Sequence, residues 1–147
     1  MVGFQEGAQG ARGLLPDWRS FIKAGHAIFT IANSETGNRF TFRVTKHLEK
    51  DLWFVSVLRG PDNESDYTYV GAIFGHEFRL TRHSRVGEDA PSFRVFRWLH
   101  QYLESQAELP ETVGVYHEGC CGRCGRRLTV PQSIRQGFGP ECIQYVQ

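Results

Sequence analysis

All four cysteines of this 147-residue chain lie close together near its C-terminal end, and this clustering constrains the fold more than any other feature. Cys121 and Cys124 form a C-x2-C pair, and Gly122 and Gly125 allow the tight turn that aims both sulfurs at one point. Cys142 supplies a third sulfur. Zinc prefers four Cys or His ligands in a tetrahedron, so the pattern predicts a Zn²⁺ site that closes this segment.

The fourth ligand is either His117 or Cys120. His117 precedes Cys121 by a short stretch, Glu118 and Gly119, that leaves enough chain for its ring to reach the same ion. Cys120 is adjacent to Cys121, and neighbouring side chains diverge, which favours His117. Two disulfides are the alternative pairing, but clustered cysteines in a reducing cytosol more often bind metal. A zinc ion with four protein ligands has no open position for water, so we expect a structural site.

Hydrophobic periodicity predicts an α+β fold. Alternation with period two begins at residue 26 and gives five short strands, HAIFTIAN, NRFTFRVT, LWFVSVL, YTYVGAIF and EFRLT. The third of these is apolar on both faces, as expected of a central strand. SFRVFRWLHQYLES then shows helical spacing behind Pro91, and TVGVYH is a possible sixth strand. We predict an antiparallel sheet of about five strands packed by one main helix, with a C-terminal zinc-knuckle subdomain.

These patterns divide the chain into three parts. Residues 1–15 are rich in Gly, Ala and Gln without periodicity, and we expect a flexible tail. Residues 16–112 form the sheet and helix domain, and residues 113–147 form the zinc-binding subdomain.

Composition and motifs exclude several function classes. The net charge of +1 gives no overall attraction to nucleic acid or membrane. No apolar run reaches the length of a membrane span or a signal peptide, so we expect a cytoplasmic protein that does not bind membranes. The chain has no P-loop, G-x-S-x-G, H-E-x-x-H or G-x-G-x-x-G motif, and it lacks the H-x-E and P-C-x-x-C pair of zinc deaminases. The absence of these motifs does not exclude an active site assembled in space, but it removes any specific reason to propose one, and we predict that the chain is not an enzyme.

Two groups of arginines are candidates for binding a polyanion or a protein partner. The knuckle carries Arg123, Arg126, Arg127 and Arg135 against two glutamates, which predicts a phosphate-facing edge or a solvated loop. The second group follows the last predicted strand and is joined by arginines of the helix; it comprises Arg79, Arg82 and Arg85 with Arg94 and Arg97. Sheet aromatics could stack bases beside them; these are Phe40, Phe42, Trp53, Phe54, Tyr67 and Tyr69.

The run CGRCGRRLTVPQSIRQGFGPEC resembles the hallmark of an uncharacterised phage and prophage zinc-binding module, CGRCGR-x-LT-x-P-x-SI-x-x-G-x-GP-x-C. A subgroup begins HEGRCGRCGR where this chain has HEGCCGRCGR, so the resemblance implies His117, Cys121, Cys124 and Cys142 as ligands and leaves Cys120 as a spare thiol. Similarity to relatives extends upstream to about residue 24. The resemblance implies a mobile-element origin in a bacterial host and supplies no activity.

Two functions remain open at this point. The first is a small zinc-binding phage or mobile-element protein that binds DNA or RNA through the arginine-rich knuckle and the basic, aromatic face of the sheet and helix. The alternative is a protein-interaction module, such as an inhibitor of a host defence complex, in which the zinc is purely structural. The oligomeric state does not follow from the sequence.

Overall fold

A computed structural model of the chain describes residues 13–62 and 65–146. Seven strands form a single antiparallel sheet. They are β1 (Gly13–Leu14), β2 (His26–Asn33), β3 (Arg39–Lys46), β4 (Leu52–Leu58), β5 (Tyr67–Phe74), β6 (Glu77–Arg79) and β7 (Val113–His117). Their order across the sheet is β1-β7-β2-β3-β4-β5-β6. The predicted α+β class is confirmed, and β4 is an interior strand as its apolar faces predict.

Three short or medium helices accompany the sheet, namely α1 (Trp18–Ile22), α2 (Pro91–Ser105) and α3 (Pro131–Gln136). A 3₁₀ helix, Cys142–Tyr145, follows. Proline begins both α2 and α3, because its fixed φ suits a first helical turn. Among the described helices, none is long and apolar enough to cross a membrane.

The helices cover one face of the sheet. This face carries Phe29, Phe42 and Val55, all fully buried. Phe96 of α2 packs edge-on against Phe42 with ring centroids 5.2 Å apart. The indole N–H of Trp53 donates to the carbonyl of Lys23 behind α1, at 3.2 Å. The main hydrophobic core therefore lies between this face and the helices.

The opposite face carries no helix within the described part of the chain. Its side chains include Thr30 and Thr41, whose hydroxyls lie 2.6 Å apart across neighbouring strands. The tyrosines of β5 and Phe54 of β4 lie on this side as well, because Tyr69 pairs with Ser56 and Tyr67 pairs with Leu58. Phe54 is 36% exposed on this face, whereas Thr30 is only 1% exposed, so the face is accessible to solvent only in part.

The first and last strands of the described part of the chain pair with each other at one edge of the sheet. β7 lies between β1 and β2, so the segment from residue 113, predicted as a separate subdomain, starts inside the sheet. Residues 13–15, assigned to the tail by sequence, are also part of it, because β1 pairs with β7 and the Leu15 N–H donates to Val115 O at 2.8 Å. The remaining tail residues, 1–12, lie outside the described part.

Candidate metal centre

The chain reverses direction several times between β7 and its C-terminal end. Cys120 and Arg127 form an isolated antiparallel bridge that closes the knuckle loop. Within the loop, Gly125 has φ +82°, a left-handed conformation that glycine adopts without strain. Gly137, at φ +81°, ends α3 and returns the chain toward the knuckle. Cys142 then lies at the start of the 3₁₀ helix.

These reversals bring three thiols together. The sulfurs of Cys121, Cys124 and Cys142 all lie within 4.8 Å of one another. A tetrahedral ion with thiolate ligands at about 2.3 Å would hold its sulfurs about 3.8 Å apart, so a small contraction suffices. Cys121 and Cys142 are buried, whereas Cys124 is exposed. The structure therefore contains a three-cysteine cluster that could hold a metal ion.

Hydrogen bonds from the backbone are directed at the innermost sulfur. The N–H groups of Arg123 and Gly139 each donate to Cys121 Sγ at 3.4 Å. Burial tends to raise the pKa of Cys121, but these donors, together with the N–H and the thiol of Cys124, outweigh it and hold the pKa below its usual value. Cys121 Sγ is thus placed to carry negative charge, as a metal-bound thiolate requires. The Gly139 donor, which lies far from the C-x2-C pair in sequence, gave no recognisable sequence signal.

Cys142 has a different environment. Burial is the main reason that its pKa is raised, and the neighbouring thiols of Cys124 and Cys121 act in the same direction. The guanidinium of Arg123 opposes them, because it lies 3.5 Å from Cys142 Sγ and favours the thiolate. One arginine of the knuckle is therefore part of the cluster's immediate surroundings.

His117, predicted as the fourth ligand, is fully buried and lies outside the group formed by the three thiols. Its Nδ1 accepts the N–H of Gly119 at 3.0 Å. Its Nε2 must then carry the ring proton, which it donates to the carbonyl of Ile134 in α3 at 2.5 Å. Burial lowers the pKa of His117, so the ring is neutral. Both ring nitrogens thus bond to backbone groups, and the bond to Ile134 joins β7 to α3.

Cys120, the alternative ligand, is also outside the three-thiol group. It is half-buried, and burial raises its pKa, although the nearby Arg127 acts in the opposite direction. All four cysteines are free thiols, so the structure contains neither of the disulfides considered as the alternative pairing.

The cluster rests directly on the hydrophobic core. Cys121, Leu128 and Phe138 are buried members of the same core as the sheet. Phe138 packs on Phe21 of α1 with ring centroids 5.5 Å apart. Gly122 lies between these rings, because a Cβ placed there would be 2.6 Å from Phe21 and 3.1 Å from Phe138. The knuckle needs glycine at this position for close packing.

The structure separates the two predicted groups of arginines. The knuckle group follows β7, whereas Arg79, Arg82 and Arg85 follow or end β6 at the opposite edge. Five strand spacings of about 4.8 Å lie between β7 and β6, or roughly 24 Å. Arg79 also forms an ion pair with Glu77 at 3.6 Å and lies over the ring of Phe74. The two groups do not form one surface.

All four knuckle arginines are exposed, and none forms an ion pair with a carboxylate of the described residues. Arg123 lies over the ring of Tyr145 at 4.4 Å. Tyr145 itself is 68% exposed and was not singled out by the sequence analysis. Its only sequence signal is an aromatic residue shortly after the last cysteine. The cluster is therefore bordered by unpaired positive charge and one exposed aromatic ring.

The sheet aromatics proposed for base stacking fall into two groups. Phe42 and Trp53 are core residues, and Phe40 packs against the core. Phe54, Tyr67 and Tyr69 occupy the face without helices, and Arg43 lies over the ring of Tyr67 at 4.2 Å. Phe40 is half-buried and also lines a groove between the sheet and α2.

Comparison with known protein families finds a match for the C-terminal segment. Residues 112–146 match a family of unknown function (DUF6011). The matched residues include β7, all four cysteines and α3. No curated protein and no solved structure matches the chain. The three-thiol cluster thus lies within the segment that matches this family.

Proposed function

We propose that Cys121, Cys124 and Cys142 bind one structural Zn²⁺ ion. The observation that carries this proposal is the close approach of three thiols around a sulfur that already receives backbone N–H donors. Thiolates select soft or borderline ions, and zinc adds a tetrahedral preference without redox chemistry. When bound, it would hold the knuckle and the 3₁₀ helix together in a reducing cytoplasm, such as that of a bacterial host.

His117 fits the role of fourth ligand better than Cys120 does. A metal-bound histidine usually donates its other ring N–H to a carbonyl, and His117 Nε2 already does so with Ile134. Only the bond from the Gly119 N–H to Nδ1 would have to be given up. The backbone bridge of Cys120 with Arg127 makes this position extended, so its side chain points to the opposite side from that of the adjacent Cys121.

Zinc content of cysteine variants tests this proposal. We expect about one zinc per wild-type chain by elemental analysis. C124S should lose the zinc, since it removes one ligand. This variant is chosen because Cys124 is exposed, so that its replacement disturbs no core packing. C120S is the matched control, since it makes the same chemical change next to the cluster. Zinc retained in C120S supports His117 as the fourth ligand. Wild-type zinc affinity in C124S would contradict the proposal.

The knuckle is also proposed to bind single-stranded nucleic acid. Its support is the combination of unpaired, exposed arginines with the exposed ring of Tyr145 beside the cluster. Arginines neutralise phosphates, and an exposed aromatic ring stacks on bases without regard to sequence. Arg123 connects the two roles, because it contacts both Cys142 Sγ and the Tyr145 ring. This function agrees with a small mobile-element protein acting on DNA or RNA.

A titration of labelled DNA and RNA, single- and double-stranded, at several salt concentrations tests this binding. We expect the triple variant R123A/R126A/R127A to bind more weakly and to lower the salt slope by about 2, since each phosphate contact on a single strand contributes about 0.7. The matched control R79A/R82A/R85A removes equal charge at the far edge and should bind as the wild type does. Equal affinity of the knuckle variant would refute the proposal, and no salt-dependent binding by any protein would favour a protein partner instead.

A further inference from the structure

A groove opens between the sheet and α2, at the end of β7 away from the knuckle. Its volume is about 590 Å³, within the range of about 300–1,000 Å³ that is typical of ligand sites. The apolar part of its lining consists mainly of Ile31, Phe40, Val95, Trp98 and Val113. Because Val113 begins β7 and the knuckle follows its last residue, this groove and the metal centre are separate.

Every charged residue of the described chain that lines the groove is positive. Arg94 and Arg97 of α2 line it, and both are exposed. An adjoining depression of about 610 Å³ shares Phe40 and Pro91 with it and adds Arg39 and Arg59. Among the residues that the structure describes, no aspartate or glutamate lines either cavity. None of these arginines forms an ion pair with a carboxylate of the described residues.

Polar side chains that are neither acidic nor basic complete the lining. Asn38 and Gln101 each offer an amide with both donors and an acceptor. Trp98 is half-buried and lies with its ring centroid 4.7 Å from that of Tyr102, which holds its indole in place. An apolar floor, fixed aromatic rings and a positive rim favour a ligand that combines a flat ring with an anionic group.

We propose that this groove binds a nucleoside phosphate. The ring of the ligand lies on the apolar floor against Phe40 and Trp98, and the amides of Asn38 and Gln101 contact its polar edge. The phosphate groups extend toward Arg94 and Arg97, with Arg39 and Arg59 available to a longer chain of phosphates. The ligand is a free nucleotide or the terminal nucleotide of a strand, since both present the same chemistry. This site requires neither zinc nor the knuckle arginines.

Calorimetric titration of the zinc-loaded full chain with ATP, GTP, CTP and UTP, one at a time, tests the proposal. We expect at least one nucleotide to bind with a micromolar Kd. Adenosine and inorganic triphosphate, which each lack one half of the ligand, should bind at least tenfold more weakly. An oligonucleotide carrying a 5′-phosphate, compared with the free nucleotide, distinguishes the two sources.

Two variants locate the binding. R94A/R97A removes two exposed positive charges of α2, of which that of Arg97 lies over the ring of Phe93, and it should weaken nucleotide binding at least tenfold. R123A/R126A/R127A should leave nucleotide binding unchanged, even though it is expected to weaken strand binding at the knuckle. The proposal is overturned if no nucleotide binds at millimolar concentration, if inorganic triphosphate binds as tightly as the nucleotides, or if R94A/R97A binds as the wild type does. Failure of the knuckle proposal alone would leave these results intact.

Discussion

Two buried histidines, His117 and His100, differ in the hydrogen-bond partners of their ring nitrogens. His117 has backbone partners on both ring nitrogens. His100 of α2 is only 7% exposed, and its Nε2 has no hydrogen-bond partner in the described structure, although Glu104 Oε2 lies 3.5 Å away. Burial lowers the pKa of His100; Glu104 opposes this, while Lys23 and His76 add to it. His100 is therefore held neutral by its surroundings.

The lowered pKa of His100 predicts a pH-dependent stability. Its pKa in the unfolded chain is about 6.5. Below that pH the unfolded state takes up a proton that the folded state does not, so the free energy of unfolding falls, by at most about 1.4 kcal/mol per pH unit. His100→Leu cannot titrate, so its stability relative to the wild type should rise between pH 7 and pH 5. Urea unfolding at several pH values measures this, and parallel curves for the two proteins would contradict it.

At the level of secondary structure, elements with a clear period follow from the sequence. β2–β5 begin and end within a residue of the predicted positions, and α2 contains the whole predicted run SFRVFRWLHQYLES, because alternation and helical spacing each extend over several residues there. β1 could not be predicted, since a two-residue strand has no period. The place of β7 between β1 and β2 depends on pairings between residues far apart in sequence.

The candidate site likewise has one part that the sequence predicts and one part that depends on the tertiary fold. The three thiols follow from the cysteine spacing, and the structure brings them together. The hydrogen bonds of His117 and the Gly139 donor depend on how α3 and the last loop return to the knuckle, and no local pattern specifies that.

Packing of the knuckle on α1 gives a prediction at this scale. Gly122→Ala would place a methyl group 2.6 Å from the Phe21 ring. Since both groups are enclosed in the core, we expect a loss of about 1–3 kcal/mol in the free energy of unfolding.

Gly139→Ala is the matched control for this substitution. A Cβ at position 139 meets nothing within 4 Å, and the backbone N–H that donates to Cys121 Sγ is kept. Its stability should lie within about 0.5 kcal/mol of the wild type. Thermal or urea unfolding of the two variants compares them directly. Similar losses in both would show that chain flexibility, and not contact with Phe21, accounts for glycine at position 122.

Across the whole molecule, the metal centre and the sheet share one hydrophobic core, but packing in that core stabilises the sheet more than it stabilises the segment after β7. The sheet face beneath α2 is filled by large side chains, such as Phe42, Phe78 and Phe96, that pack on one another. The segment after β7 contains only short helices, α3 and the 3₁₀ helix, which are marginal without tertiary support. The bound metal would therefore stabilise this segment more than the rest of the fold.

Removal of the metal should consequently unfold one part of the protein before the other. On addition of a chelator, we expect backbone amides in residues 118–146 to lose protection in hydrogen exchange. The proposed metal ligands lie in or next to this segment, so metal binding and folding of the segment are coupled. Amides of β3, β4 and β5 should stay protected, since their pairing and their contacts with α2 involve no metal ligand. In C124S, residues 118–146 should lack hydrogen-exchange protection even without chelator, and addition of the chelator should change the exchange little. Simultaneous loss of protection in both regions would mean that the Phe21–Phe138 contact couples the knuckle to the sheet so strongly that they unfold as one unit.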